Sequence, residues 1–416
     1  MTNNVEIKCN SFNLVIFVFL KCVPETYSLM KSVYFDSAAT SQMRDEVINA
    51  MIESMQKCYG NPSSTHAFGR KAKSQIESCR KDIAKRLKVS PSEIIFTSGG
   101  TEADNMALKC GVNDLGVKRI ITSRIEHHAV LHTAQLLEKQ SGIILEYVNL
   151  DEYGQIDLGH LEELLSKSYE KTLVSLMHIN NEIGNKLDLK KVSELCEQYC
   201  ALLHSDTVQS IGHFDIDLQE YPIDFLAVSA HKFHGPKGVG FAYVNKKNKL
   251  ASLILGGAQE RGHRAGTENV SGIVGLHKAF NLAYENLEKE SQYVRELKQY
   301  FIEKLEEKIH GIVFNGMCKN LEKSAYTVIN FSLPISEAKA GLLLFQLDLK
   351  GIACSQGSAC QSGSQKGSFV LNEIYGPEKA KTPSLRFSLS HFNTKTEVDY
   401  AVEVLSAFVG TEKVAV

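Results

Sequence analysis

The chain has 416 residues, 43% of them apolar and 23% charged, with a formal net charge of −2. That length exceeds a single small core and accommodates a large domain plus a smaller one. The balanced charge, with no basic stripe, argues against nucleic acid as the main partner. Ten scattered cysteines, with no C-x-x-C pair and no zinc-finger spacing, argue against a disulfide framework and a structural metal and for a reducing, cytoplasmic setting.

The apolar run Leu14–Leu20 is too short to span a bilayer, which takes about 20 residues, and it lacks the flanks of a signal peptide. Residues 1–29 are therefore expected to lie outside the fold, and no membrane partner is expected. From Lys31 onward strand and helix signals alternate. Ile94–Thr97 reads as a strand ending in Ser98-Gly99-Gly100-Thr101, with a helix following. Arg119–Ser123 is a strand, Ala129–Gln140 a helix with Val130, Leu131, Ala134 and Leu137 on one face, and Ile144–Val148 the next strand. Leu173–Ile179 is a strand ending in a polar turn, and Lys191–Cys200 a helix. Ala201–His204 is a strand leading into Ser205-Asp206, and Phe225–Ser229 and Gly240–Val244 are further strands. One long charged helix spans Tyr284 to Ile309. Short buried strands separated by helices predict an α/β fold with a mostly parallel sheet. In such a sheet ligands gather at the C-terminal strand ends, which here carry SGGT, EHH, NNE, SDTVQ and SAHK.

Chemistry concentrates at those ends. A lysine directly after a buried strand, Lys232, is costly unless bonded or neutral, and a Schiff base with an aldehyde cofactor would meet that cost. Taken alone it reads far more readily as a surface lysine in a Gly/Pro turn. A strand-end Asp206 could pair with a protonated pyridine nitrogen, although alone it reads as a cap or turn residue. Ser98–Thr101 before a helix offers N–H groups and a hydroxyl to a phosphate. Cys360 sits in a Gly/Ser-rich stretch, Ser355–Ser368, whose composition gives a thiol reach, whereas Cys354 follows apolar residues and reads as buried and inert.

Together SAHKFHGPKG, SDTVQS, TSGGTEADN, GNPSSTHAFG, MHINNEIG, RGHRAGTENV and SQGSACQSG resemble the class I cysteine desulfurases, the NifS/IscS group of fold-type I pyridoxal-phosphate (PLP) enzymes, from about Val33 to Asp399. The resemblance implies a fold-type I transferase with a mostly parallel seven-stranded sheet and a smaller α/β domain. The large PLP-binding domain would be 46–289, and the small domain 30–45 with 290–416, carrying the cysteine loop. It implies that Lys232 is the Schiff-base lysine and proton shuttle, Asp206 the pyridinium partner and His127 the imidazole over the ring, active in acid–base steps. Gln209 and Asn181 would lie near the cofactor phenolate and substrate. Gly100, Thr101, Ser229 and His231 would cradle the phosphate, and Thr267 would reach the partner subunit's phosphate. Arg386 would clamp the substrate carboxylate. Cys360 would take the sulfur as a persulfide, touching iron–sulfur cargo only during transfer. The implied partners are L-cysteine, an iron–sulfur scaffold or other sulfur acceptor, and a second copy in a homodimer. A selenocysteine lyase or a transaminase on the same fold is the enzymatic rival, and a cofactor-free scaffold the non-enzymatic one. Where the family commonly reads F-S-L-G-R, this chain has Phe387-Ser388-Leu389-Ser390-His391.

Overall fold

The computed structural model describes residues 32–167, 170–357, 368–380 and 382–410. Its centre is a seven-stranded sheet of β2 (Ile94–Thr97), β3 (Arg119–Thr122), β4 (Ile144–Tyr147), β5 (Thr172–Ser175), β6 (Leu202–Asp206), β7 (Phe225–Ser229) and β8 (Gly240–Val244), in the order β2-β8-β7-β6-β5-β3-β4. Only β8 runs against its neighbours. All but the edge strand β4 are buried along their whole length. Successive residues feed opposite cores: Phe96, Ile121, Val174, Leu203, Leu226 and Phe241 pack on one face, and Ile95, Ile120, Leu173, Leu202, Phe225 and Ala242 on the other. Burial on both faces is why these strands read as continuous apolar runs.

The expected strand over Leu173–Ile179 runs past β5, which ends at Ser175: Leu176 N and His178 N still donate to the His204 and Asp206 carbonyls of β6 at 3.2 and 3.0 Å, while Met177 N turns to the Glu126 carboxylate and Met177 and Ile179 line a cavity. The strand expected over Ala201–His204 is β6, which runs on through Ser205 to end at Asp206. The long charged helix expected over Tyr284–Ile309 is Leu287–Lys308; Tyr284 and Glu285 end the preceding helix Val270–Glu285, and Asn286 separates the two.

A separate apolar cluster gathers Val33 and Phe35 with residues from Val294 to Leu405. It packs on an antiparallel sheet of β9 (Val313–Phe314), β10 (Val328–Ser332) and β12 (Ser384–Ser388) and on the parallel pair β1 (Val33–Tyr34) and β11 (Ile352–Ala353). Phe387 lies 5.4 Å from Phe35 and from Phe301 and 5.6 Å from Phe331, ring centre to ring centre. β1 therefore belongs to this core, and the chain crosses to the large sheet after Asp36, so that the turn beyond β1 lies between the two. No helix among the described residues is long and apolar enough to cross a membrane.

Candidate active site

At the C-terminal edge of the parallel strands lies a cavity of about 200 Å³. Gly100, Thr101, His127, Asn181, Asp206, Gln209, Ser229, His231, Lys232 and Arg386 all line it. Ten residues singled out in the sequence thus converge from positions far apart along the chain. Thr267 lines a different cavity of about 100 Å³ with Ser98, Arg264 and Glu268. Cys360 lies outside the described residues.

The helix Gly100–Asn113 points its N-terminus at the cavity, and the N–H groups of a first helical turn have no partners within the helix. Gly100 has no Cβ there for a close-packing reason: a methyl would sit 2.4 Å from Val208 Cγ2. Ser229 ends β7, and His231 and Lys232 follow in a single 3₁₀ turn. Lys232 Nζ donates to the carbonyls of Ala38 (2.6 Å) and Ala39 (3.0 Å). Gln209 Nε2 donates to the same Ala38 carbonyl at 2.9 Å. His127 caps the helix His128–Ser141, its Nδ1 accepting from Ala129 N at 3.2 Å. That bond assigns the proton of the neutral ring to Nε2.

Burial shapes the electrostatics. Asp206 is buried, and desolvation pushes its carboxyl up, opposed by the His127 imidazole, the Val208 N–H and the Lys232 ammonium. Beside it, Asp104 is held well above the usual carboxylate range by burial and by the Asp206 charge. Burial also brings Glu126 up to about 8, against hydrogen bonds from Met177 N and Ser123 Oγ. His231 is pushed down to about 4 by burial and the neighbouring lysines. These neighbours leave Asp206 as the acid most favoured to carry a charge under the cavity.

Arg386, on β12 and 1% exposed, donates from Nη1 to the Asn181 carbonyl (2.8 Å) and from Nη2 to Asp36 Oδ1 (2.9 Å). Four polar atoms of the lining, Asp104 Oδ1, Asn181 Oδ1, His231 Nδ1 and Arg386 Nε, are buried without a hydrogen-bond partner among the described residues. Buried polar atoms rarely stay unmatched, so the lining is built for something polar. An amine, a buried carboxylate, an imidazole and a helix N-terminus around one cavity match the aldehyde, ring nitrogen, ring face and phosphate of pyridoxal phosphate. Asp104, His127 and Asp206 present ligand atoms within 4.8 Å of one another and would suit a cation by type.

Sequence reasoning missed Ala38, Ala39 and Asp104. The alanines act through backbone carbonyls, which no side-chain signal reveals. Asp104 had a signal: it is an acid on the same helical face as Ala107, Leu108 and Gly111, all of them buried. Cys354 is half-buried rather than buried, although desolvation still pushes its thiol well up.

The aminotransferase class-V family model matches residues 33–401. A cysteine desulfurase IscS of Dictyoglomus turgidum is 42% identical over 383 residues, 92% of this chain and 95% of that protein. A solved NifS-like protein superposes with a TM-score of 0.83 at 35% identity, covering 92% of this chain and 100% of its own. A structure of SspA in complex with cysteine gives a TM-score of 0.75 at 30% identity, covering 87% and 99% of the two chains.

Proposed function

The chain belongs to the class-V aminotransferase family, and we propose that within it the chain is a PLP-dependent cysteine desulfurase. It would convert L-cysteine to L-alanine and leave the sulfur as a persulfide on Cys360. The observation that carries this reading is the meeting of Lys232, Asp206, His127 and Arg386 around one cavity at a helix N-terminus. When bound, the cofactor supplies an electron sink for the pair released as the substrate Cα–H bond breaks. Lys232 would hold the cofactor's aldehyde carbon and then carry the Cα proton. Asp206 would balance the ring nitrogen's charge, and Gly100, Thr101, Ser229 and His231 would hold the phosphate. Gln209 and Asn181 supply amides on the substrate side. Arg386 binds the carboxylate, and His127 Nε2–H lies where a proton can be exchanged with the reacting groups.

Sulfur transfer needs a second nucleophile. The Cys360 thiolate would attack the substrate sulfur; the Cβ–S pair leaves with carbon, and Cβ takes a proton. One thiol and one cysteine give one persulfide and one alanine, with no external oxidant. The persulfide would pass to a sulfur acceptor such as an iron–sulfur scaffold protein, in a cytoplasmic setting. A homodimer is part of the proposal. Ile48, Ile52, Met55 and Tyr59 form an exposed stripe along the helix Asp45–Lys57 and its end, with Phe68 5.4 Å from Tyr59, ring to ring, and a second copy would cover it.

The test is direct. Purified protein with L-cysteine and a reductant should yield alanine and sulfide in equal amounts, and Lys232→Ala should lose both these products and the yellow cofactor colour. Turnover of L-selenocysteine with none of L-cysteine would make the enzyme a selenocysteine lyase instead.

A further inference from the structure

The turn after β1 ties together groups that no single sequence motif joins. The Asp36 carbonyl accepts from Ala39 N (2.9 Å) and Thr40 N (3.2 Å), which folds the turn and aims the Ala38 and Ala39 carbonyls at Lys232. The Asp36 side chain takes no part in those bonds. Its Oδ1 instead accepts from Arg386 Nη2 at 2.9 Å and from Ser355 Oγ at 2.8 Å. Ser355 and Arg386 are also paired through their backbones, with Arg386 N donating to Ser355 O at 2.7 Å. One carboxylate therefore bonds both the cavity arginine and the strand segment that lies against it.

A guanidinium carries five N–H donors in a rigid plane. Asp36 and the Asn181 carbonyl anchor Arg386 at its two amino ends, while Nε is buried at the cavity wall with no hydrogen-bond partner among the described residues. Resting on the desulfurase reading, we infer that Asp36 is a positioning residue for the substrate carboxylate: it fixes the plane of Arg386 so that the remaining N–H groups meet that carboxylate. It also partners a cation that burial would otherwise leave uncompensated before substrate arrives. Without Asp36 one of the two anchors is gone, and binding must reorder the side chain.

Two probes separate positioning from general structure. 3-Mercaptopropionate keeps the carboxylate and thiol of cysteine but lacks the amine. Cysteamine keeps the amine and thiol but lacks the carboxylate. In the holoenzyme, Asp36→Ala should weaken 3-mercaptopropionate binding by calorimetry roughly ten- to hundredfold, the range for losing a charge-assisted bond, and raise KM for L-cysteine in step. Binding of cysteamine, followed by its effect on the visible absorbance, should change less than about twofold on the same reasoning, because cysteamine makes no carboxylate contact. Asp36→Asn, whose amide oxygen can still accept from Nη2, should recover most of the loss. Equal weakening of both probes, or no weakening of 3-mercaptopropionate, would overturn the inference. Wild-type enzyme that makes no alanine from L-cysteine would instead sink the functional reading on which it rests.

Discussion

Burial treats the ionisable residues around Lys232 unequally, and that inequality predicts behaviour. Cys354 illustrates it: desolvation and the nearby Asp36 charge keep its thiol protonated, and a protonated thiol is a poor nucleophile. Cys354→Ser should therefore keep sulfide production near wild type, whereas Cys360→Ser should bind cysteine yet lose sulfide and alanine by orders of magnitude. Mass spectrometry after one turnover without reductant checks it, with the added sulfur expected on Cys360. Glu126 gives a second case. Its folded value is raised to about 8 from an ordinary 4.5, so the stability it contributes is full below pH 4.5 and is lost as pH rises through 8. Within that window each pH unit costs up to about 1.4 kcal/mol. Glu126→Gln should accordingly be better tolerated at pH 9 than at pH 5, which urea midpoints at the two pH values would report. The equivalents of these residues were readable wherever function lay in a side chain at a strand end, as for Lys232 and Asp206. They were not readable where a backbone carbonyl did the work, as at Ala38, or where an acid was paired across 350 residues, as Asp36 is with Arg386.

At the scale of elements, strand positions were the most legible feature, because complete burial writes an unbroken apolar run. Their ends were less so. The run continues after β5 stops, since Leu176 stays in the sheet core while Met177 and Ile179 line the cavity, and hydrophobicity cannot tell a strand from a buried wall. The pairing of β1 with β11 was invisible, because two-residue strands carry no periodicity and the partners lie far apart in sequence. Close packing between elements explains one motif that spacing alone left ambiguous. The first residue of helix Gly100–Asn113 abuts Val208, whose N–H donates to Asp206 Oδ1 at 2.9 Å. Gly100→Ala must push Val208 aside and disturb Asp206 with it. Overpacking of this kind costs about 1–3 kcal/mol, and its effect here should fall on cofactor retention more than on folding. Dialysis followed by absorbance should show faster cofactor loss while far-UV circular dichroism stays unchanged.

On the scale of the whole molecule, the two apolar cores are joined where residues 36–44 cross between them, and that junction is charged. Arg44 makes a two-pronged ion pair with Glu290 at 2.8 and 2.7 Å. His391 Nδ1 lies 3.5 Å from the same carboxylate, with its ring 4.6 Å from that of His234. His391 thus places a titratable group at this junction, beside the permanent charge of Arg44. Burial comes first in pushing His391 down to about 4; Arg44 and His213 add to the effect, while Glu290 and Glu46 oppose it. His234, packed against it, is also held well below its ordinary value by burial. A histidine with a lowered folded value contributes stability above its unfolded value of about 6.5, and loses it as pH falls toward 4. The unfolded chain binds the proton first, at up to about 1.4 kcal/mol per pH unit for each such group. The melting temperature should therefore drop between pH 7 and pH 4.5, and His391→Gln should flatten that drop while leaving Arg44 and Glu290 paired. Calorimetric scans of both proteins at pH 7 and pH 5 decide the matter: parallel losses would mean that the junction histidine takes no part in the acid sensitivity.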